Sequence, residues 1–227
     1  MQSIYKYLIS LLLCLLVYST QAQDKNKDSI QVKTKWWNGL TVQADIASLV
    51  SSSLSAGETY SMEGAGQINF KNKYYPIFEL GFAGANKTSN EDINFKTNGL
   101  FGRVGVDFNL RKSKEGAKLT NNLFLAGVRL GMSSFAYDIT NIIIKDDYWG
   151  GSETLNFNNQ LTTKVWYEIV LGVKVEVFKN TYMGWTVRNK HLLSKDISGE
   201  VFPWYIPGFG KNNTTNWGIS YSLGYRF

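Results

Sequence analysis

One histidine, His191, occurs in the 227 residues, and Ser194 and Asp196 follow it closely. A hydroxyl nucleophile needs a base within hydrogen-bond reach and a third group to orient that base. This trio is therefore the one place where the chain could perform acyl transfer of the kind that barrel-borne lipid hydrolases carry out near an outer rim. Strand parity argues against it, because His191 shares a face with the apolar residues Met183, Trp185 and Val187. The adjacent pair Asp146 and Asp147 falls short of the six to eight or so oxygen ligands that a calcium ion takes, and reads as a solvated acidic turn. The sequence contains no Gly-rich phosphate loop and no Cys/His metal spacing. No catalytic residue, metal ligand or cofactor is expected.

A third set of charges lies inside otherwise apolar runs: Asp45, Glu63, Glu79, Asp107 and Glu168, against Arg103, Arg129 and Arg188. The elements that position them are eight segments with a period of two, the repeat that sends successive side chains to opposite faces of a strand. Leu40, Val42, Ala44 and Ile46 open the series, and Tyr60, Met62, Ile68 and Phe70 follow. Further faces carry Tyr74, Phe78, Leu80 and Phe82, then Leu100, Val104, Val106 and Phe108, then Phe124, Val128, Leu130 and Met132. The sixth runs from Val165 to Val177, the seventh carries Met183, Trp185 and Val187, and the last alternates from Trp217 to Phe227. The runs are longer than the five or six residues usual in soluble sheets and suit strands that cross a bilayer at a tilt.

An eight-stranded barrel is only wide enough for side chains to fill. Charges that face inward must pair, because an isolated ion out of bulk water costs several kcal/mol. The expected fold is thus all-β, an eight-stranded antiparallel up-and-down transmembrane β-barrel over 36–227, with a salt-bridged plug in place of an open pore. Connections are short at 71–72 and 179–180, moderate at 111–121, and long at 85–98, 138–160 and 194–213. Short periplasmic turns opposite long external loops are the outer-membrane pattern, so both termini are expected in the periplasm. Seven Trp, 13 Tyr and 13 Phe need a use, which an interfacial belt supplies. The belt on the short-turn side would hold Trp36, Trp37, Phe70, Tyr74, Phe108, Phe124, Phe178, Tyr182, Trp185, Tyr225 and Phe227.

Two of the three prolines, Pro203 and Pro207, bracket Trp204, Tyr205 and Ile206, with Phe209 just beyond. Fixed φ angles make an ordered loop less costly. It is either an aromatic platform on Trp204, Tyr205 and Phe209 for a lipid, glycan or protein, or a lid packed over the barrel mouth. The lid is the favoured reading.

Residues 1–22 have the layout of a cleaved secretory signal, with Lys6, an apolar run from Leu8 to Val17 and Thr20-Gln21-Ala22. A polar periplasmic leader at 23–35 follows it. The only cysteine, Cys14, lies in that signal, which leaves no disulfide or thiol-bound metal for the mature chain. Removing the signal deletes Lys6 and no acid, so the net charge falls from +6 to +5, and its scattered signs do not suggest nucleic-acid binding.

Tyr221, Leu223, Tyr225 and Phe227 resemble the C-terminal signal that the barrel assembly machinery reads. Four stretches, Gly99 to Phe108, Gly127 to Phe135, Gly184 to Arg188 and Pro203 to Gly210, resemble an uncharacterised family of bacteroidete outer-membrane β-barrels catalogued as a domain of unknown function. The resemblance implies a fold and an address and no activity. The expected partners are outer-membrane lipid and, during insertion, the assembly machinery, with the barrel acting as a monomer. Its expected role is non-enzymatic, with external loops serving envelope integrity or surface binding. The alternatives are a conduit or receptor for a small apolar ligand, which requires a lateral gap or a cavity beside the 203–209 loop, and a rim lipid hydrolase.

Overall fold

A computed structural model describes residues 36–48, 58–111, 122–146, 150–194 and 201–227. The expected signal at 1–22, the leader at 23–35, Asp147 and Asp196 lie outside the described residues.

Eight long strands close into one antiparallel barrel: β1 (Trp37–Asp45), β2 (Thr59–Phe70), β3 (Tyr74–Thr88), β4 (Asn94–Asn109), β5 (Leu123–Asp146), β6 (Gly151–Phe178), β7 (Thr181–Leu192) and β10 (Thr215–Arg226). A small hairpin of β8 (Tyr205–Ile206) and β9 (Gly210–Lys211) interrupts the last connection. Each barrel strand pairs with its neighbours in sequence, and β10 closes on β1 from Thr41↔Arg226 to Asp45↔Ser222.

The barrel is inverted relative to a water-soluble protein. Met62, Val104, Val128, Ile169 and Ile219 stand exposed on the outer wall, while Gln67, Arg103, Arg129, Glu168 and Arg188 are buried inside. Alternation alone enforces this sorting, because neighbouring residues on a strand must face opposite ways. Aromatic rings gather outside at the short-turn end, where Trp36 and Trp37 pack on Phe70, Tyr74 on Phe108, and Tyr225 on Phe227. Tyr182 departs from the expected belt. Its parity turns it inward, where it is buried beneath the Arg226 guanidinium at 4.4 Å.

Tight turns form where left-handed φ is tolerated. Lys71 and Asn72 (φ 53° and 54°) join β2 to β3, and Asn180 (φ 66°) lies between β6 and β7. Close to the seam, Gly39 holds φ at 108° beside a register shift in β1. A Cβ there would lie 2.5 Å from the Phe227 carbonyl oxygen, so only glycine lets the chain end approach.

Two expected loops are largely strand. The 85–98 connection is paired up to Thr88↔Asn94. The 138–160 connection is an arm of the β5–β6 hairpin, with pairing continued to Asp146↔Gly151. The apolar period fails in this arm for two reasons. Register shifts interrupt it near Ile139, with Asn141 and Asn159 in left-handed φ, and much of the β6 side is exposed and polar. Where a strand is exposed and polar, backbone pairing persists without a hydrophobic alternation to reveal it.

Candidate functional site

Glu79 on β3 is the hub of the charged interior. Its Oε2 accepts hydrogen bonds from Arg103 Nη1 and Arg188 Nη1, both at 2.7 Å, and Oε1 faces Arg129 Nε at 3.3 Å. Glu63 on β2 receives both Nη groups of Arg103, at 3.0 and 2.9 Å, and Nη2 of Arg188 at 3.1 Å. Glu168 on β6 lies 3.2 Å from Arg103 Nε and 3.4 Å from Arg188 Nη1, and accepts the Trp166 indole N–H at 2.8 Å. Toward the turn end, Arg129 grips Asp107 through two nitrogens at 2.7 and 2.9 Å. Gln67 donates to the same carboxylate at 2.7 Å, and the Lys174 ammonium donates to Gln67 at 2.5 Å and to Gln43 at 2.7 Å.

Seven of the eight expected interior charges thus meet. Asp45 stands apart, half-buried at the end of β1, where it accepts the Ala47 and Tyr221 backbone N–H groups at 3.0 and 3.2 Å. Because β1 stops at that residue, its carboxylate caps the turn and does not reach the guanidiniums. Three members absent from the expected set, Gln43, Gln67 and Lys174, occupy the same inward parity as the acids they serve. Parity was the signal that could have found them. About 30 Å³ of free space remains among Asp45, Glu63, Glu79, Asp107 and Arg188, room for about one or two water molecules.

Toward the long-loop end the interior changes character. Phe95, Phe101, Phe135, Tyr137, Ile139 and Trp166 form a buried apolar cluster inside the barrel, and Ile206 and Phe209 from the 203–211 segment complete it. The expected interior of small and charged residues is therefore only half the bore. The Phe209 ring packs on Trp166 at 5.7 Å, and Lys190 donates to the carbonyls of Gly208 and Phe209 at 2.7 and 3.3 Å. The Tyr137 hydroxyl donates to the Val201 carbonyl. The segment is folded into the mouth as a stopper. Of the three expected platform residues, Phe209 is buried, and Trp204 is stacked on Phe95 with ring centres 5.3 Å apart. Burial raises the Tyr205 phenol above its ordinary pKa of 10.0, which keeps it neutral.

Gly208 permits this fold, with φ at 79° and a would-be Cβ 2.4 Å from Phe101 Cγ. Gly208→Ala is expected to loosen the stopper by about 1 to 3 kcal/mol. Faster hydrogen exchange at the Phe209 and Asn212 amides, which donate to Ile206 and Trp204 carbonyls, measures that loss.

At the rim, His191 stacks on Tyr167 with ring centres 4.8 Å apart. Its Nε2 engages Asn189 and its Nδ1 faces the Thr215 hydroxyl at 3.3 Å. The Ser194 hydroxyl is held by the Val165 backbone, accepting its N–H at 2.7 Å. Histidine and serine are therefore each committed to other groups, and the structure does not bring them together as nucleophile and base. Beside the stopper a second cavity of about 1050 Å³ opens, lined by Thr59, Ile93, Ile142, Trp204, Lys211 and Trp217 among others. Tyr221, Leu223 and Tyr225 lie on the outward face of β10, with Tyr221 against Trp185 at 4.6 Å, and Phe227 follows the strand, exposed.

A family model described as a domain of unknown function (DUF6048) matches residues 4–227. Among solved structures, the chain is similar to Neisserial surface protein A (NspA), with 12% identity over 84% of this chain and 99% of that one, and a TM-score of 0.41. No curated protein matches.

Proposed function

We propose that this chain, which belongs to the DUF6048 family matched over residues 4–227, is an integral outer-membrane barrel closed to transit. In this reading it is non-enzymatic and anchors its outer hairpin arm and loops for envelope integrity or surface binding. The supporting observation is the filled bore: ion pairs join β2, β3, β4, β6 and β7 across the lumen, and the 203–211 stopper lies above them. The exposed apolar wall supports the membrane address, since a contiguous apolar surface of this extent is not left to water in a soluble monomer. Export through the 1–22 segment, a bacteroidete source, periplasmic termini, reading of Tyr221 to Phe227 by the assembly machinery and a monomeric state belong to the same proposal.

The test combines membrane fractionation, heat-modifiability on unboiled gels and planar-bilayer recording of the purified protein. The expected result is a detergent-dependent protein with a compact unboiled band and no conductance steps. Recovery without detergent, or sustained stepwise conductance, would overturn the reading.

A further inference from the structure

The stopper and the wall that receives it are held by different means. Phe95 and Phe101 of β4, Phe135, Tyr137 and Ile139 of β5 and Trp166 of β6 sit on barrel strands, and the ladders between those strands keep this aromatic cup in shape. The Trp166 indole is fixed further by its bond to Glu168. The stopper, by contrast, forms a two-stranded sheet of its own and pairs with no barrel strand. Its tip, from Ile206 to Phe209, is buried in the cup. Among the described residues, one wall side chain bonds to that tip: Lys190, which donates to the Gly208 and Phe209 carbonyls at 2.7 and 3.3 Å.

Lys190 is therefore an inward-facing ammonium served by neutral acceptors. Glu168 stands opposite it in the β6–β7 register, but that carboxylate is engaged by Arg103, Arg188 and the Trp166 indole. Lys190 itself forms no ion pair with a described residue. A cation drawn out of bulk water gains more from a carboxylate than from a main-chain carbonyl, because a hydrogen bond between two ions is shorter and stronger. The Ile206 and Phe209 side chains thus satisfy the apolar part of this site, with Phe209 on Trp166 at 5.7 Å, while its charged part is matched only by dipoles.

We propose that the cup is a ligand site in which the Ile206–Phe209 turn is the resident occupant, and that an aryl-alkyl carboxylate displaces it. The ring of the ligand takes the place of Phe209 on Trp166, and its carboxylate replaces the two carbonyls on Lys190. Displacement breaks no barrel ladder, since the stopper pairs only with itself. The ion pairs of Glu63 and Glu79 with Arg103 and Arg188 lie beneath the cup and stay in place, so the site goes beyond the closed-barrel reading and does not require the bore to open.

The test follows hydrogen exchange by mass spectrometry in the full barrel folded in detergent, titrated with 4-phenylbutanoate and, separately, with the neutral 4-phenylbutanol. The expected result is a saturable rise in exchange at the Phe209 amide with the carboxylate and not with the alcohol, while the β4 and β5 amides do not change. Gly208→Ala weakens the closed stopper and is expected to lower the half-saturating concentration about tenfold, because apparent affinity scales with the fraction of molecules whose cup is open. Lys190→Met is expected to abolish the preference for the carboxylate. Where that variant does not give the compact band on unboiled gels, the comparison of acid with alcohol in the unaltered chain decides the same point. A Phe209 amide unmoved by the carboxylate in both the unaltered chain and Gly208→Ala, or moved equally by the alcohol, would overturn the proposal. Bilayer conductance is read separately, and its continued absence leaves the closed-barrel reading standing whichever way the exchange result falls.

Discussion

Glu79→Ala is expected to destabilise the folded barrel by about 3 to 5 kcal/mol, the usual result of removing one partner from a buried ion pair. The reason is the number of cations that share this one carboxylate. Arg103, Arg129 and Arg188 all reach it, and Glu79 is about 1% exposed. Loss of the carboxylate leaves three guanidiniums in a bore with room for only a few water molecules, far short of the hydration that bulk solvent would supply. Glu63 and Glu168 compensate in part, since both already pair with Arg103 and Arg188. Arg129 retains Asp107. The measurement is the urea midpoint of the compact band on unboiled gels, or of tryptophan fluorescence in lipid vesicles. Asp45→Asn is the matched control, because among the described residues the Asp45 carboxylate accepts from the backbone N–H groups of Ala47 and Tyr221 and pairs with no arginine. Its midpoint should move by less than about 1 kcal/mol, within the range of a single hydrogen bond. Equal losses in the two variants would show that the network does not concentrate on Glu79.

The second large effect concerns the outer wall. Val128 is 54% exposed on β5, between Val106 of β4 and Ile169 of β6. Val128→Arg is expected to reduce stability in lipid vesicles by about 2 to 4 kcal/mol, the range for a cation on the lipid face near the bilayer midplane. A water-facing position this exposed would tolerate the same change within about 0.5 kcal/mol. The variant thus discriminates between lipid and water as the medium around the barrel. Leu161→Arg, on the same outward parity of β6 as Ile169 but nearer the loop end and 77% exposed, should have little effect, because the penalty falls to about 0 to 1 kcal/mol toward the interface.

The fold was legible because a half-embedded strand writes its environment into alternate positions. Met62, Val104, Val128 and Ile219 point outward where the period placed them. Acids and arginines on the opposite parity required pairing, and seven of the eight expected charges meet in the lumen. The β5–β6 arm was read as loop because its β6 side is largely exposed and polar and the pairing shifts in register near Ile139. Parity also separates Tyr182 from the belt of Trp185 and Tyr225, which composition alone could not do.

Local pattern determines which face a side chain takes; it carries no information about which strands lie across the bore. The sequence by itself determined the inverted alternation, the strand count and the paired charges, since each follows from nearest-neighbour geometry and the cost of an unpaired ion. Only the tertiary structure decided that Glu79 is shared by three arginines, that Asp45 stays outside the network, and that the outer half of the bore is aromatic and sealed by Ile206 and Phe209. Those features depend on shear and closure, which bring residues distant in the chain to one height in the barrel.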